Sequence, residues 1–280
     1  MLPDNMNTKK IVTLFLAFAT SFWLKANAAT VDTALTHSVA MSKDIKAVVI
    51  KPADYSVTKK YPVMYLLHGF SGNYSDWIKK IPAITKLADT YHMLIVCPDG
   101  NFAGWYFDSP MNKEWMYETY VATELVNYID KHYATITNRK GRAITGLSMG
   151  GHGALFLAFK HQDIFGAAGS MSGVLDIRQF PDSYGIEQVL GKYSEHPDIW
   201  EQHCVVSLVY LLKPNTLALT FDCGYDDGMY SGNQELHEKL LQRKIPHDYT
   251  VRPGAHSWEY WGNAINYQAL FFSRYFSNAK

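Results

Sequence analysis

The 280-residue sequence lacks several features that assign other proteins to a class at once. It has only three cysteines, too few for a disulfide scaffold, and none stands at metal-ligand spacing from another cysteine or a histidine pair. It also lacks a charge surplus, because 26 Lys and Arg residues balance 26 Asp and Glu residues. A basic surface for nucleic acid is therefore not indicated. We predict a protein without a metal, a cofactor or a nucleic-acid partner.

No internal repeat, low-complexity tract or Pro/Gly-rich linker divides the chain. Its 48% hydrophobic and 19% charged residues exclude intrinsic disorder, which requires few apolar residues and a large net charge. Aromatic residues are frequent, at 14% of the chain. These features predict a single globular domain over residues 29–280 and favour an enzyme or a sugar-handling protein.

An apolar run, residues 11–24, follows Lys9 and Lys10 and leads into an Ala-Asn-Ala sequence that ends at residue 28. A positive start, a short apolar stretch and small residues before a cleavage point are typical of a secretory signal peptide. A transmembrane helix needs about 20 residues, so an N-terminal membrane anchor is the weaker alternative. We predict a signal peptide over residues 1–28 and an exported protein, secreted or periplasmic, without stable membrane association after cleavage.

Strand-like runs and helical patterns alternate along the rest of the chain. Apolar or β-branched runs predict strands over residues 33–41, 45–51, 63–67, 93–97, 142–147, 167–171, 217–221 and 248–251. Apolar spacing of three and four predicts helices over residues 82–91, 114–133, 150–160, 234–243 and 258–276. This alternation predicts an α/β fold with a mostly parallel central sheet and helices on both faces. The irregular segment 175–199 is either a lid or substrate loop or a surface insertion.

A candidate nucleophile stands in residues 146–150, GLSMG, which fit the pattern G-x-S-x-G. The pattern is weak alone, but here it joins the predicted strand 142–147 to the predicted helix 150–160, as a nucleophile turn requires. Such a tight turn excludes side chains at its two glycines and lifts the serine hydroxyl above the sheet. Ser148 is the predicted nucleophile.

A serine hydroxyl needs a base to become a good nucleophile, and the base needs an acid to orient it. In this architecture the order along the chain is Ser, acid, His. His256 follows the last predicted strand and is the predicted base. Asp222, Asp226 and Asp227 all follow or end the predicted strand 217–221 and qualify as the acid by position. We favour Asp227, since 29 residues to His256 leave room for one helix and one strand, and Asp226 remains an alternative.

Acyl transfer to serine also requires two N–H donors for the developing oxyanion. The N–H of Met149, at the start of a helix, is the first predicted donor. The second is expected in residues 68–72, HGFSG, after the third strand, and we predict the N–H of Phe70. His68 precedes the acid in the chain, which favours a structural role over that of a base.

Five motifs, in chain order, resemble those of the esterase D-type branch of the α/β-hydrolases: YPVMYLLHGFSGNYSDW, PDG with GWYFDSP, GLSMGGHGAL, FDCGYDD and PGAHSWEYW. The resemblance covers essentially the whole chain after the signal peptide. That group includes feruloyl, acetylxylan and short-chain acyl esterases, S-formylglutathione hydrolases and mycolyltransferases. The resemblance implies an α/β-hydrolase fold and a serine esterase with Ser148, Asp227 and His256 as its triad and Phe70 and Met149 as oxyanion donors.

Extracellular members that resemble this chain mostly remove acyl or feruloyl groups from plant polysaccharides. The resemblance therefore implies a feruloyl, acetyl or short-chain acyl ester as substrate. Trp105, Tyr106 and Trp258 are candidates for stacking on a phenolic acid or a sugar, and the alternative is that they cap the core and hold the histidine loop. Acyl transfer by the same acyl-enzyme, a serine peptidase, and a carbohydrate-binding protein without activity remain alternative functions.

Overall fold

A single eight-stranded sheet forms the centre of the computed structural model, which describes residues 28–278. Its strands are β1 (Thr30–Ser38), β2 (Lys43–Lys51), β3 (Val63–Leu67), β4 (Leu94–Pro98), β5 (Arg142–Gly146), β6 (Ala167–Met171), β7 (Ala218–Gly224) and β8 (Asp248–Arg252). They lie in the order β1-β2-β4-β3-β5-β6-β7-β8. The pairs β1/β2 and β2/β4 are antiparallel, and the remaining pairs are parallel. The predicted mostly parallel sheet is confirmed.

Helices connect most of the strands. In the described part of the chain they are α1 (Asp76–Lys80), α2 (Ile84–Tyr91), α3 (Tyr117–Thr119), α4 (Val126–His132), α5 (Met149–Lys160), α6 (Ile186–Leu190), α7 (Pro197–His203), α8 (Tyr230–Gln242) and α9 (Trp258–Asn278). None of them is both long and apolar enough to cross a membrane. The predicted signal peptide lies outside the described residues.

Two layers of apolar side chains cover the two faces of the sheet. Successive side chains of a strand point to opposite faces, so Tyr65 and Leu67 of β3 join one layer while Met64 and Leu66 join the other. The first layer packs against α5 and α8, and the second against α1, α2 and α9. This is the α/β-hydrolase architecture that the family resemblance implies. The three cysteines are buried free thiols within these layers.

The predicted helix over residues 114–133 is shorter and less regular in the structure. It begins with α3 at Tyr117, because Met116 is not helical and forms an isolated bridge with Asp108. A π-helical stretch, Tyr120–Leu125, then separates α3 from α4. Apolar spacing of three and four fits α- and π-helical turns nearly equally well, so the sequence pattern does not distinguish them.

The segment 175–199 has more structure than its irregular sequence indicates. It contains a 3-10 turn, Ile177–Gln179, the whole of α6 and the start of α7. Ile186, Val189 and Leu190 of α6 are fully buried and anchor the segment in the core. Short helices of this kind depend on tertiary packing more than on local propensity, which is why periodicity does not reveal them.

The turn from β5 to α5 brings two backbone segments into unusually close contact. A Cβ atom added to Gly146 would lie 2.5 Å from the Gly150 carbonyl oxygen, and one added to Gly150 would lie 2.4 Å from the His68 carbonyl oxygen. Both distances are far below van der Waals contact, and backbone atoms cannot rotate away. The predicted exclusion of side chains from both positions is therefore seen in the structure.

The close contact predicts a large effect of Gly150→Ala. The added methyl group must displace the backbone of the third-strand loop, so the free energy of unfolding should fall by about 2 kcal/mol or more in urea denaturation. Gly228→Ala is the matched control, because a Cβ at Gly228 meets no atom within 4 Å. That variant should stay within about 0.5 kcal/mol of the wild type. Equal stability of the two variants would contradict this account of the turn.

Candidate active site

Three loops at the same edge of the sheet bring the predicted triad together. Ser148 follows β5, Asp227 follows β7 and His256 follows β8. These strands are parallel, so their carboxyl ends lie on one edge. Residues that are 108 positions apart in the chain therefore come into hydrogen-bonding contact.

Ser148 lies in a strained backbone conformation at the start of α5. Its φ of 54° and ψ of −119° are rarely adopted by a residue with a side chain. The Ser148 N–H donates to the Met171 carbonyl oxygen at 2.9 Å, which ties the turn to the end of β6. The surrounding packing holds the strained turn, and the hydroxyl is presented at the sheet edge.

A continuous hydrogen-bonded relay connects the three side chains. His256 Nε2 lies 2.8 Å from Ser148 Oγ, and His256 Nδ1 lies 2.9 Å and 3.0 Å from the two carboxylate oxygens of Asp227. An ionised carboxylate only accepts, so Nδ1 carries the proton and donates to Asp227. Nε2 is then free to accept the proton of the Ser148 hydroxyl. This is the geometry and the tautomer that nucleophile activation requires.

The two adjacent aspartates have different surroundings. The Asp227 side chain is fully buried, and its Oδ1 also accepts the Met229 N–H at 2.9 Å. Burial would raise the pKa of Asp227, but the hydrogen bonds from His256 and Met229 help to outweigh it, so the pKa lies below its ordinary value. Asp226 is exposed, and its backbone N–H donates to the Gly254 carbonyl oxygen. The structure thus places Asp227, and not Asp226, against the histidine.

The two predicted oxyanion donors both lie near Ser148. Phe70 lines the pocket that contains Ser148, and Met149 is the first residue of α5. Neither backbone N–H has an acceptor within residues 28–278. Two free amides beside one serine hydroxyl can stabilise a developing oxyanion.

The pocket at Ser148 is an open cavity of about 530 Å³. Its wall includes side chains from four parts of the chain: Phe70, Asp76, Lys80, Tyr184, Trp258 and Trp261. Tyr184 comes from the segment 175–199 and is 39% exposed. The sequence indicates that this segment could reach the site, but nothing in its pattern singles out Tyr184. Asp76 and Lys80 lie on α1, whose five residues are too few to show a helical pattern in the sequence.

The prediction that Trp105 and Tyr106 contact substrate is wrong. Both side chains are fully buried. Their backbones have φ values of 53° and 60°, and their rings pack against α5, where Trp105 contacts His152 and Tyr106 contacts Gly153. The Trp105 indole N–H instead donates to the Tyr184 carbonyl oxygen at 3.0 Å. Trp105 therefore holds a residue of the pocket wall and does not itself face the pocket.

Trp258 lies on the pocket wall and also braces the histidine loop. Its ring packs edge-to-face on Trp77 and on Trp261, at centroid distances of 5.3 Å and 5.4 Å. Trp261 in turn packs edge-to-face on His256 at 4.8 Å. The position of Trp258 is compatible with both uses weighed from the sequence, and contact with substrate stays a prediction.

Asp222 serves the site without entering the relay. It is almost completely buried, and its two oxygens accept from the Tyr260 hydroxyl at 3.0 Å and the Gln268 amide at 2.9 Å. Arg252 Nη1 lies 3.3 Å from the same carboxylate. Because Arg252 and Tyr260 lie on either side of His256 in the chain, this network fixes both ends of the histidine loop. The residues of this network are separated by up to 46 positions in the chain, and the fold brings them into contact.

Comparison with known proteins identifies the family of this chain. The family model described as "Putative esterase" matches residues 38–272, which is most of the chain. The chain belongs to this esterase family.

Individual esterases are similar to this chain at moderate identity. Esterase Rv1288 of Mycobacterium tuberculosis is 29% identical over 239 residues, covering 74% of this chain and 51% of that protein. The chain thus spans about half the length of that relative. An acetyl esterase of Caldicellulosiruptor saccharolyticus is 26% identical over 216 residues, covering 72% of this chain and 79% of that protein. A solved ferulic acid esterase is 30% identical, with a TM-score of 0.77 and coverage of 89% of this chain and 99% of that one.

The contrast between the adjacent aspartates predicts different effects on the reactivity of Ser148. Asp227→Asn should slow the reaction of Ser148 with a fluorophosphonate by about 10³-fold or more, because the amide favours the wrong histidine tautomer. Asp226→Asn, which changes an exposed group, should stay within about 3-fold of the wild type. Mass spectrometry of the labelled serine over time measures both rates. A larger loss in Asp226→Asn would identify the other aspartate as the acid.

Proposed function

We propose that the protein is a serine carboxylic-ester hydrolase that acts through an acyl-enzyme. The observation that carries this proposal is the relay from Ser148 through His256 to Asp227, with both of its hydrogen-bonded steps at 3.0 Å or less. The chain's membership of an esterase family supports the same chemistry. A protein that only binds carbohydrate has no need of an aligned relay beside two free amides.

In the first half of the reaction, His256 Nε2 takes the proton of the Ser148 hydroxyl as Oγ bonds to the acyl carbon. The carbonyl π electrons move to oxygen, and the N–H groups of Phe70 and Met149 receive the negative charge. Asp227 stabilises the imidazolium. The oxyanion then collapses, the C–O bond to the alcohol breaks, and His256 returns the proton to the leaving oxygen.

The second half repeats these steps with water as the nucleophile. His256 removes a proton as water attacks the acyl carbon, and a second oxyanion forms between the same two amides. Its collapse breaks the bond to Ser148 Oγ, which takes back the proton, and the carboxylic acid leaves. Transfer to a sugar or lipid would replace water with another hydroxyl at this step, and product analysis with an acceptor present separates the two outcomes.

The proposed substrate is a feruloyl, acetyl or short-chain acyl ester, including esters carried on plant polysaccharide. An open cavity walled by aromatic rings supports a substrate with a flat apolar or sugar group, since such rings stack on both. The similarity to a ferulic acid esterase and an acetyl esterase points to the same substrates. Polysaccharides are found outside the cell, and the export proposed from residues 1–28 is consistent with acting on them.

The experiment that tests the proposed function compares the wild type with Ser148→Ala on p-nitrophenyl acetate and methyl ferulate. Loss of the nucleophile should reduce kcat by about 10⁴-fold or more on both esters. Gly228→Ala serves as a control for expression and purification of a variant, because its added methyl group meets no atom within 4 Å. Hydrolysis by Ser148→Ala at a rate near that of the wild type would refute the proposal.

Tyr184 should influence which acyl group is preferred. Its ring lines the cavity and packs edge-to-face on Phe70 at 5.6 Å, so it can extend an aromatic wall toward a phenolic acid. Tyr184→Ala should lower kcat/KM for methyl ferulate by about 10-fold and that for p-nitrophenyl acetate by about 2-fold. Tyr184→Phe keeps the ring and should retain the preference. Equal losses on both esters would show that Tyr184 does not select the acyl group.

A further inference from the structure

His68 is a fully buried histidine next to the candidate oxyanion site, and the relay does not use it. Both of its ring nitrogens have partners. Nδ1 lies 2.8 Å from the Gly69 carbonyl oxygen, and Nε2 lies 2.8 Å from the backbone nitrogen of Gly100. Because both ring nitrogens of this buried histidine form hydrogen bonds with backbone groups, the ring is held in a single orientation.

The partners of His68 determine its tautomer. The Gly100 nitrogen is a donor, so Nε2 must be the unprotonated acceptor. Nδ1 then carries the proton and donates to the Gly69 carbonyl oxygen. Burial lowers the pKa of His68, which also favours this neutral form.

The Gly69 carbonyl belongs to the same peptide group as the Phe70 N–H. The described chain has no cis peptide bonds, so the C=O and N–H of this unit point in opposite directions. The Gly69 oxygen accepts from His68 Nδ1 and from the Gly72 N–H at 3.1 Å. Two donors on the carbonyl side therefore fix the direction of the Phe70 N–H on the other side, and Phe70 lines the pocket of Ser148.

We propose that His68 is a positioning residue for the oxyanion site, which orients the Gly69–Phe70 peptide so that the Phe70 N–H faces the reacting carbonyl. This inference rests on the proposed hydrolase function. The supporting shell is rigid: the Tyr106 hydroxyl donates to the His68 carbonyl oxygen at 3.0 Å, and the Tyr106 ring packs against His68. An electrostatic site must be fixed in advance to stabilise charge without reorganising, and His68 supplies that constraint.

Substitutions that retain a polar group at either the Nδ1 or the Nε2 position of His68 test this role. His68→Asn places an amide N–H where Nδ1 is and can still donate to Gly69, whereas His68→Gln reaches the Nε2 position and loses that donor. We expect kcat for p-nitrophenyl acetate to fall by about 100-fold in His68→Gln and His68→Ala, with KM within about 3-fold of the wild type. His68→Asn should recover most of the loss. Equal losses in the Asn and Gln variants, or no loss in either, would overturn the proposal.

A matched pair of inhibitors separates oxyanion stabilisation from general damage to the pocket. An aryl trifluoromethyl ketone adds to the serine and forms an oxyanion, whereas the corresponding methyl ketone binds without adding. His68→Gln should weaken the trifluoromethyl ketone by about 100-fold and leave the methyl ketone within about 3-fold. Equal weakening of both inhibitors would mean that His68 only supports the fold and would overturn the proposal.

A measurement on the wild type covers the case in which the variants do not fold. Nitrogen-15 spectra of the histidine rings should show His68 with a protonated Nδ1 and an unprotonated Nε2. The opposite tautomer would overturn the proposal. Failure of the hydrolase function is distinguishable, because it appears as activity that survives Ser148→Ala. Failure of this inference leaves Ser148 essential while the His68 variants behave like the wild type.

Discussion

The site depends on one constraint, which is that three loops leave parallel strands at the same edge of a buried sheet. The hydrogen bond between Ser148 and His256 is only 2.8 Å long, and it joins loops on strands β5 and β8, which are separated by β6 and β7. A shift in register of any intervening strand would move one partner by several ångströms. The continuous apolar layers on both faces hold that register, so the core of the protein sets the precision of the relay.

Buried polar groups next to the site restrain its loops in addition to the apolar core. Asp222 holds the histidine loop through its contacts with Tyr260 and Arg252. His68 holds the loop after β3 through its hydrogen bond with Gly69. Each is a buried polar residue with hydrogen-bonded partners, so its loss would leave several buried donors or acceptors unpaired. The relay and the amides are thus surrounded by groups that do not react but restrict how the reacting groups can move.

The sequence predicts those parts of the structure that follow from local pattern and chain order. The strand–turn–helix context of Ser148 and the order of acid and histidine follow from such patterns, and the structure brings Ser148, Asp227 and His256 together. Position in the chain could not separate Asp226 from Asp227, because the difference between them is burial, and burial depends on where β7 ends. The strand extends to Gly224, three residues beyond the predicted end, and this places Asp222 within it.

Trp105 and Tyr106 show why proximity in the chain is a poor guide to contact with a ligand. Both follow a strand whose end borders the site, as substrate contacts often do, yet left-handed backbone conformations turn both rings into the core. The pocket wall instead includes Tyr184, from the segment 175–199, whose carbonyl oxygen accepts a hydrogen bond from the Trp105 indole N–H. The relay and the amides lie on loops that leave the strands and at the start of α5, whereas Tyr184 lies on the segment 175–199, which α6 anchors in the core. If Tyr184 contacts the acyl group as proposed, substitutions in the segment 175–199 should alter which ester is accepted while leaving the reacting groups in place.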